Sequence, residues 1–100
     1  MKQELENILL KDNVDKQRFE LQVDKETAYI EYKRKGDRIF LIHTEIPAAL
    51  KGTAAGPALV EKAFLNIEEN KQKLIPYCPF VRAYLKRHPQ WDRITVEESA

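Results

Sequence analysis

A cluster of small residues stands directly before a predicted helix in the stretch LKGTAAGPALVEKAF, residues 50–64. The first N–H groups of a helix have no intrahelical partner, and the helix dipole favours negative charge beside them. Small side chains let a phosphate approach such a backbone closely, so residues 52–56 indicate an anion site. A tight connection that merely needs little space is the alternative that the residues leave open. The loop has neither the Gly-Lys-Ser/Thr of a Walker A motif nor the G-x-G-x-x-G of a dinucleotide fingerprint.

Cys78 is the second residue with chemical potential. It precedes Pro79, and proline suits the first position of a helix, so Cys78 is predicted to be the N-cap of a second helix. The dipole and the free N–H groups at that position favour the thiolate, which is a nucleophile. The plainer interpretation is a small buried residue that only packs against a sheet.

The composition limits the classes of function. One hundred residues predict one domain, residues 1–100, and 17 basic against 16 acidic side chains leave a formal net charge of +1. Nucleic-acid binders normally show a basic excess, so we expect no nucleic-acid partner. The longest apolar run is IFLI, far short of the ~18 residues that cross a bilayer, so we expect no membrane span. A single cysteine and an N-terminus without a leader pattern predict a cytoplasmic protein.

Three strands open the predicted fold. Residues 18–23 and 28–32 alternate between apolar and polar side chains and predict a hairpin, and residues 38–44 follow as a third strand after a turn at Gly36. In RIFLIHT the apolar side chains fall on both faces, which predicts a central strand covered on both sides. The first ten residues could form a frayed helix or an arm, and no function is predicted for them.

Two helices and one strand follow. Apolar residues at positions 59, 60, 63, 64 and 67 predict a helix, with Pro57 in its first turn. A short strand is predicted at residues 73–75, a helix from Pro79 to about His88, and a strand at residues 94–96, while Trp91 is expected to cover the core. The fold class is therefore α/β (α+β): a mixed sheet with an antiparallel meander followed by β-α-β-α, in which the third and fourth strands are parallel.

The motifs resemble those of a known superfamily. The hexamer KGTAAG, residues 51–56, resembles the Gln/Arg-x-x-Gly-x-Gly/Ala signature of the GNAT acetyltransferases. The pieces RFELQVDKETAYIEY, LIHTEIPAALKGTAAGPALVEKAF and KLIPYCPFVRAYLKRHPQW look like the minimal, single-domain branch called YjdJ-like. The resemblance covers residues 18–92, about three quarters of the chain. Its members usually have arginine at Lys51 and glycine at Ala54. Lysine loses the planar fork, and alanine would be strained at positive φ, so we expect weaker cofactor binding.

The resemblance implies a cofactor and its site. The cofactor is acetyl-CoA, or CoA, whose pyrophosphate the loop would hold. The implied cofactor-binding residues are Ile46, Lys51, Gly52, Thr53, Ala54, Ala55, Gly56 and Pro57. No metal ligands are implied.

The resemblance also implies catalytic residues, Cys78 and His43. A thiol–imidazole pair would suit acyl transfer, with His43 as the base and Cys78 as a relay or transient acyl acceptor. His43 could equally be a core histidine, and Glu45, on the same face two residues later, is a second base candidate or a solvated strand end. Relatives often carry a tyrosine acid on the last helix. Here Leu85 takes that place, and Tyr84, rotated by about 100°, is expected to point elsewhere.

Two functions follow as expectations. The first is an N-acetyltransferase that moves an acetyl group from acetyl-CoA to an unidentified amine acceptor. The second is a non-catalytic CoA-binding or partner-binding module, favoured by Lys51, Ala54 and the missing tyrosine acid. The basic residues 86–88 are read as compensation of the helix dipole and, secondarily, as a contact for a cofactor phosphate. The oligomeric state cannot be read from the sequence.

Overall fold

One layer of the protein is a five-stranded mixed sheet, and the other layer holds the helices. A computed structural model describes residues 5–97. The strands are β1 (Lys11–Asn13), β2 (Arg18–Val23), β3 (Glu26–Lys35), β4 (Arg38–Glu45) and β5 (Lys73–Pro76). The helices are α1 (Ala55–Glu69) and α2 (Pro79–Arg87), with 3-10 turns at Ala48–Leu50 and Pro89–Ile94. The strand order is β1-β2-β3-β4-β5, antiparallel except for the parallel pair β4 and β5. The predicted mixed sheet and its parallel pair are confirmed.

Alternation of side chains explains the meander. In β3 the side chains of Ala28, Ile30 and Tyr32 are buried while their neighbours are not, as a strand with one covered face requires. Val23 pairs with Glu26, which leaves a two-residue turn between β2 and β3. Gly36 has a φ of +64° in the next turn, the left-handed conformation that glycine adopts without strain.

The prediction that β4 is covered on both faces is wrong. Ile39 and Leu41 are fully buried, but Phe40 is only half-buried and Ile42 is 38% exposed. Both helices pack on the face that holds Ile39 and Leu41, because α1 and α2 also contact each other. The opposite face of the sheet, called here the bare face, has no helix among the described residues.

Helix α1 supplies most of the second layer. Its residues at positions 59, 60, 63, 64 and 67 are all fully buried, which confirms the predicted stripe. Trp91 is buried and meets the ring of Phe64 edge to face at 5.4 Å, so it covers the core as expected. The predicted strand at residues 94–96 is reduced to one bridge between Thr95 and Leu74. Neither α1 nor α2 combines the length and apolar character needed to cross a bilayer.

The short strand β1 was not predicted. It adds to β2 and is joined to β3 by a polar network: the Tyr32 hydroxyl donates to the Asp12 carboxylate, and Arg34 bonds both Asp12, at 3.0 Å, and the Tyr32 oxygen, at 2.8 Å. Burial, together with the hydrogen bond to Asp12, raises the pKa of Tyr32 to about 12. The frayed helix or arm expected at the N-terminus lies partly outside the described residues.

The Tyr32 hydroxyl should stabilise the fold in a pH-dependent way. Tyr32→Phe removes a hydrogen bond to a carboxylate and should lower the free energy of unfolding by about 1 to 2 kcal/mol at neutral pH. Because the folded-state pKa of about 12 exceeds the ordinary value of 10.0, this stability is present below pH 10 and is lost as the pH rises toward 12. Urea titrations across that range measure it.

Tyr29→Phe is the matched control, because Tyr29 lies on the bare face with its ring under Arg18. The wild type and the control should lose stability between pH 10 and 12 more steeply than Tyr32→Phe. If the free energy of unfolding fell equally with pH in all three proteins, the raised pKa would not belong to Tyr32.

Candidate functional site

Strands β4 and β5 separate after Leu41, and the site lies where they part. Their pairing runs from Arg38 with Lys73 to Leu41 with Pro76. The Leu41 carbonyl then accepts hydrogen bonds from the N–H groups of both Tyr77 and Cys78, each at 3.0 Å. Two donors on one carbonyl end the ladder, so residues 42–45 of β4 continue with no β5 partner.

A bulge in β4 decides which side chains face the opening. Glu31 pairs with His43 but Tyr32 pairs with Leu41, so Ile42 is an extra residue. One extra residue reverses the alternation of the side chains that follow. Thr44 therefore points to the helix layer, while His43 lies on the bare face opposite Glu31.

The opening is a cleft of about 550 Å³ between the end of β4, the start of α1 and one side of α2. Its lining combines small residues of the loop, apolar side chains and several charged groups. The lining residues are Thr44, Glu45, Ile46, Leu50, Lys51, Gly52, Thr53, Gly56, Pro57, Phe80, Ala83, Tyr84, Arg87 and His88. Of the eight predicted cofactor residues, six are in this list.

The two others face elsewhere. Ala55 is buried at 1% exposure, with its side chain in the core, and Ala54 lines a neighbouring groove along α1. Ala54 has a φ of −76°, so the strain expected there does not arise. The positive φ of the loop is at Gly52, +78°.

Hydrogen bonds shape the loop and leave some amides free. The Thr53 hydroxyl donates to the Leu50 carbonyl at 2.6 Å and accepts from the Ala55 N–H at 3.1 Å, so it closes the turn before α1. Within residues 5–97, the N–H groups of Gly52 and Gly56 have no hydrogen-bond partner. Both residues line the cleft, so their amides are available to an anion.

Gly56 also has a packing role. A Cβ on Gly56 would lie 2.8 Å from the Phe80 ring, closer than real Cβ contacts allow. The small residue therefore admits α2 next to the start of α1, which is the alternative that the sequence left open. Room for a helix and free backbone for an anion are both present at this position.

Phe80 was missed by the sequence reasoning, although a signal was present. Phe80, Ala83, Tyr84 and Arg87 follow the i, i+3, i+4, i+7 spacing of one helix face, and this face lines the cleft. Tyr84, expected to point elsewhere, is part of the cleft wall, while its hydroxyl is hydrogen-bonded to the Trp91 side chain. Burial raises the pKa of Tyr84, the charge of Glu61 raises it further, and a hydrogen bond from the Trp91 indole opposes both. The phenol therefore stays protonated at neutral pH.

The two predicted catalytic residues lie apart. Cys78 is the N-cap of α2, as predicted, but it is only 3% exposed, and its Sγ is 3.0 Å from the Thr44 hydroxyl. The His43 ring is on the bare face, half-exposed, with Nε2 3.1 Å from the Glu45 carboxylate. The described residues contain no hydrogen bond between Cys78 and His43. The catalytic roles of both remain predictions, and the predicted shared face of His43 and Glu45 is confirmed.

Charges of both signs reach the cleft. Lys51 and Arg87 contribute cations near the loop, and Glu45 brings a carboxylate at the end of β4. Arg87 is in the last turn of α2, where a cation also compensates the helix dipole. The described residues hold no cluster of three or more His, Cys, Asp and Glu side chains suited to a metal ion.

A family model described as GCN5-related N-acetyl-transferase matches residues 18–94, most of the chain. The chain belongs to this family. The superfamily predicted from the loop and its flanking motifs is thereby confirmed, while the YjdJ-like branch stays a prediction.

A solved structure adds evidence on the fold. The chain is similar to the solution NMR structure of a protein from Staphylococcus aureus described as GCN5-like, with a TM-score of 0.65 over 91% of this chain and 90% of that chain. The two sequences are 21% identical, so the similarity concerns the fold. No curated protein sequence matches the chain.

Contact between Gly56 and Phe80 can be measured by a double-mutant cycle. Gly56→Ala should lower the free energy of unfolding by up to about 1 kcal/mol, because the new methyl group displaces the Phe80 ring. In a Phe80→Ala background the same change should be neutral or stabilising, since alanine is the better helix former by about 0.5 to 1 kcal/mol. Equal effects in both backgrounds would show that the two residues do not interact.

Proposed function

We propose that the protein binds acetyl-CoA in the cleft and transfers its acetyl group to an amine. The family of the chain supports the reaction class, because its members are described as N-acetyl-transferases. The observation that carries the proposal is the position of the free Gly52 and Gly56 amides inside a cleft of about 550 Å³. A cleft of this size is within the usual range for small-molecule sites.

The residues present fit the cofactor. The Gly52 and Gly56 amides would hold the pyrophosphate, since backbone N–H groups at a helix start bind phosphate groups well. Lys51 and Arg87 would add charge-assisted contacts to phosphate oxygens. Ile46, next to the unpaired end of β4, would contact the chain that links the phosphates to the sulfur.

Bound acetyl-CoA supplies an activated acyl group as a thioester. An acceptor amine must lose a proton before it attacks, and His43, held by Glu45, is the side chain we assign to accept it. Glu45 lines the cleft and bonds His43, so the pair joins the bare face to the cleft. Tyr84 is part of the other wall. Its hydroxyl accepts a hydrogen bond from the Trp91 indole, so its own proton would be left to donate.

A binding module without catalysis is the second candidate. It is favoured by one observation: Cys78 and His43, the implied catalytic pair, lie on opposite faces of β4. In that case the same cleft would hold CoA, and the bare face would serve a partner.

Titration of CoA into the protein tests the binding step. We expect saturable heat for the wild type, and about fivefold weaker binding for Lys51→Ala and for Arg87→Ala, because each loses one partly exposed ionic contact. Lys25→Ala, in the turn between β2 and β3, is the matched control and should bind like the wild type. Absence of binding at millimolar CoA would remove the proposal.

Turnover on a panel of polyamines, peptides and free lysine tests the transfer step. His43→Ala should lower kcat/KM by roughly 10²- to 10⁴-fold, the usual effect of losing a general base, and Glu45→Gln by a smaller factor. Cys78→Ala should show whether the thiol takes part, with mass spectrometry of quenched reactions looking for an acetyl group on Cys78. If the wild type acetylates nothing above background yet binds CoA, the second candidate is correct.

A further inference from the structure

The bare face of the sheet carries a row of cations at the end far from the cleft. Lys35 is the cross-strand partner of Arg38, and Arg38 is the partner of Lys73. All three alternate with the buried residues of their strands, so they share the bare face, and Lys33 stands on it two residues before Lys35. We call these four residues the cationic row.

The cationic row has no internal compensation. Like charges that face each other across strands destabilise a sheet. None of the four side chains forms an ion pair or a side-chain hydrogen bond with another described residue. Their positive charge is thus available to an external anion.

The opposite end of the bare face has an excess of carboxylates, because Arg18, the β2 partner of Glu31, is ion-paired with Glu20 at 2.5 Å. Glu31 is the cross-strand partner of His43, and Glu45 bonds the same imidazole. Glu45 also lines the cleft, so this negative end adjoins the proposed cofactor site. A cationic amine would be attracted to it.

An apolar strip lies between the two ends. The rings of Phe40 and Tyr77 are 5.7 Å apart, and Ile42 follows Phe40 along β4 toward His43. Tyr77 is 44% exposed and Ile42 is 38% exposed, so side chains of a ligand can pack on them. From one end to the other, the bare face is therefore cationic, then apolar, then anionic.

We propose that the bare face binds an extended peptide as the acceptor, with its amine at Glu45 and its carboxylates on the cationic row. Because of the bulge, the partners of Arg38 and Glu45 on β3, Lys35 and Tyr29, are only six positions apart. The face between them is therefore about 20 Å long at the rise of a strand, the length of about six peptide residues. The acceptor class is therefore a peptide whose acidic residues stand about six positions from the acetylated amine. Acetylation of that amine rests on the proposed function, whereas binding of the peptide does not.

Other polymers fit the charge pattern less well. A nucleic acid that followed the face would bring its phosphates onto Glu31 and Glu45. A polyamine would meet the cationic row. The rings of Phe40 and Tyr77 are inclined at 50° to each other and do not offer parallel platforms for stacked bases.

Fluorescence anisotropy without cofactor tests the inference. The probe is a labelled synthetic peptide with one lysine and a short run of glutamates about six residues away. A second peptide of the same composition, with the glutamates beside the lysine, tests the spacing. The variant Lys35→Ala/Arg38→Ala/Lys73→Ala removes three of the four charges of the row. The control variant Lys16→Ala/Lys25→Ala/Lys62→Ala removes the same charge elsewhere. Circular dichroism confirms that both variants fold.

We expect the spaced peptide to bind the wild type and the control variant equally within twofold, and the row variant about tenfold more weakly. The adjacent-charge peptide should also bind about tenfold more weakly. Equal binding by both variants, equal binding of both peptides, or binding of only oligo-dT or phosphatidylserine vesicles would overturn the inference. The CoA titration is independent: if CoA fails to bind and the peptide binds, the docking surface stands and acetyl transfer falls. The reverse result rejects only the docking surface.

Discussion

The Leu41 carbonyl is the point on which the site depends. It accepts the N–H groups of Tyr77 and Cys78 together, so the parallel ladder between β4 and β5 stops there. The end of β4 is then free on one edge, and the helix that starts at Pro79 leaves the sheet at once. Without this termination β5 would continue beside β4 and close the cleft. The opening is thus a consequence of backbone hydrogen bonding, with the side chains of the loop and of α2 added to its walls.

The spacing of apolar residues predicted the helices and strands well, but it predicted less well which face of each one is buried. The stripe of α1 and the alternation of β3 are long and regular, so their buried sides could be read directly. The bulge at Ile42 could not, because one extra residue leaves no mark in composition yet reverses every side chain after it. That reversal separates His43 from Cys78. Strand β1 was missed because its three polar residues have no apolar pattern, and it is held by the Asp12 contact to Tyr32 instead.

The sequence predicted one role for the small residues of the loop, and the structure shows a second one. Small residues before α1 were expected to expose amides to a phosphate, and the Gly52 and Gly56 amides are free within the described chain. Gly56 in addition accommodates the Phe80 ring, a contact between residues 24 positions apart that no local pattern shows. The backbone strain predicted at Ala54 is absent, because the positive φ of this turn is at Gly52. Sequence reasoning identified the segment but could not assign a role to each residue in it.

A sheet with helices on one side has a consequence for recognition. Helices α1 and α2 cover the core face of the sheet. The bare face carries mostly polar side chains and a few aromatic ones. Glu45 belongs to both regions, since it lines the cleft and bonds His43 on the bare face. A cofactor in the cleft and an acceptor on the bare face would therefore approach each other from opposite sides of β4. They would meet only at its unpaired end, so the short pairing with β5 would set both the position of a bound cofactor and the place where an amine could reach it.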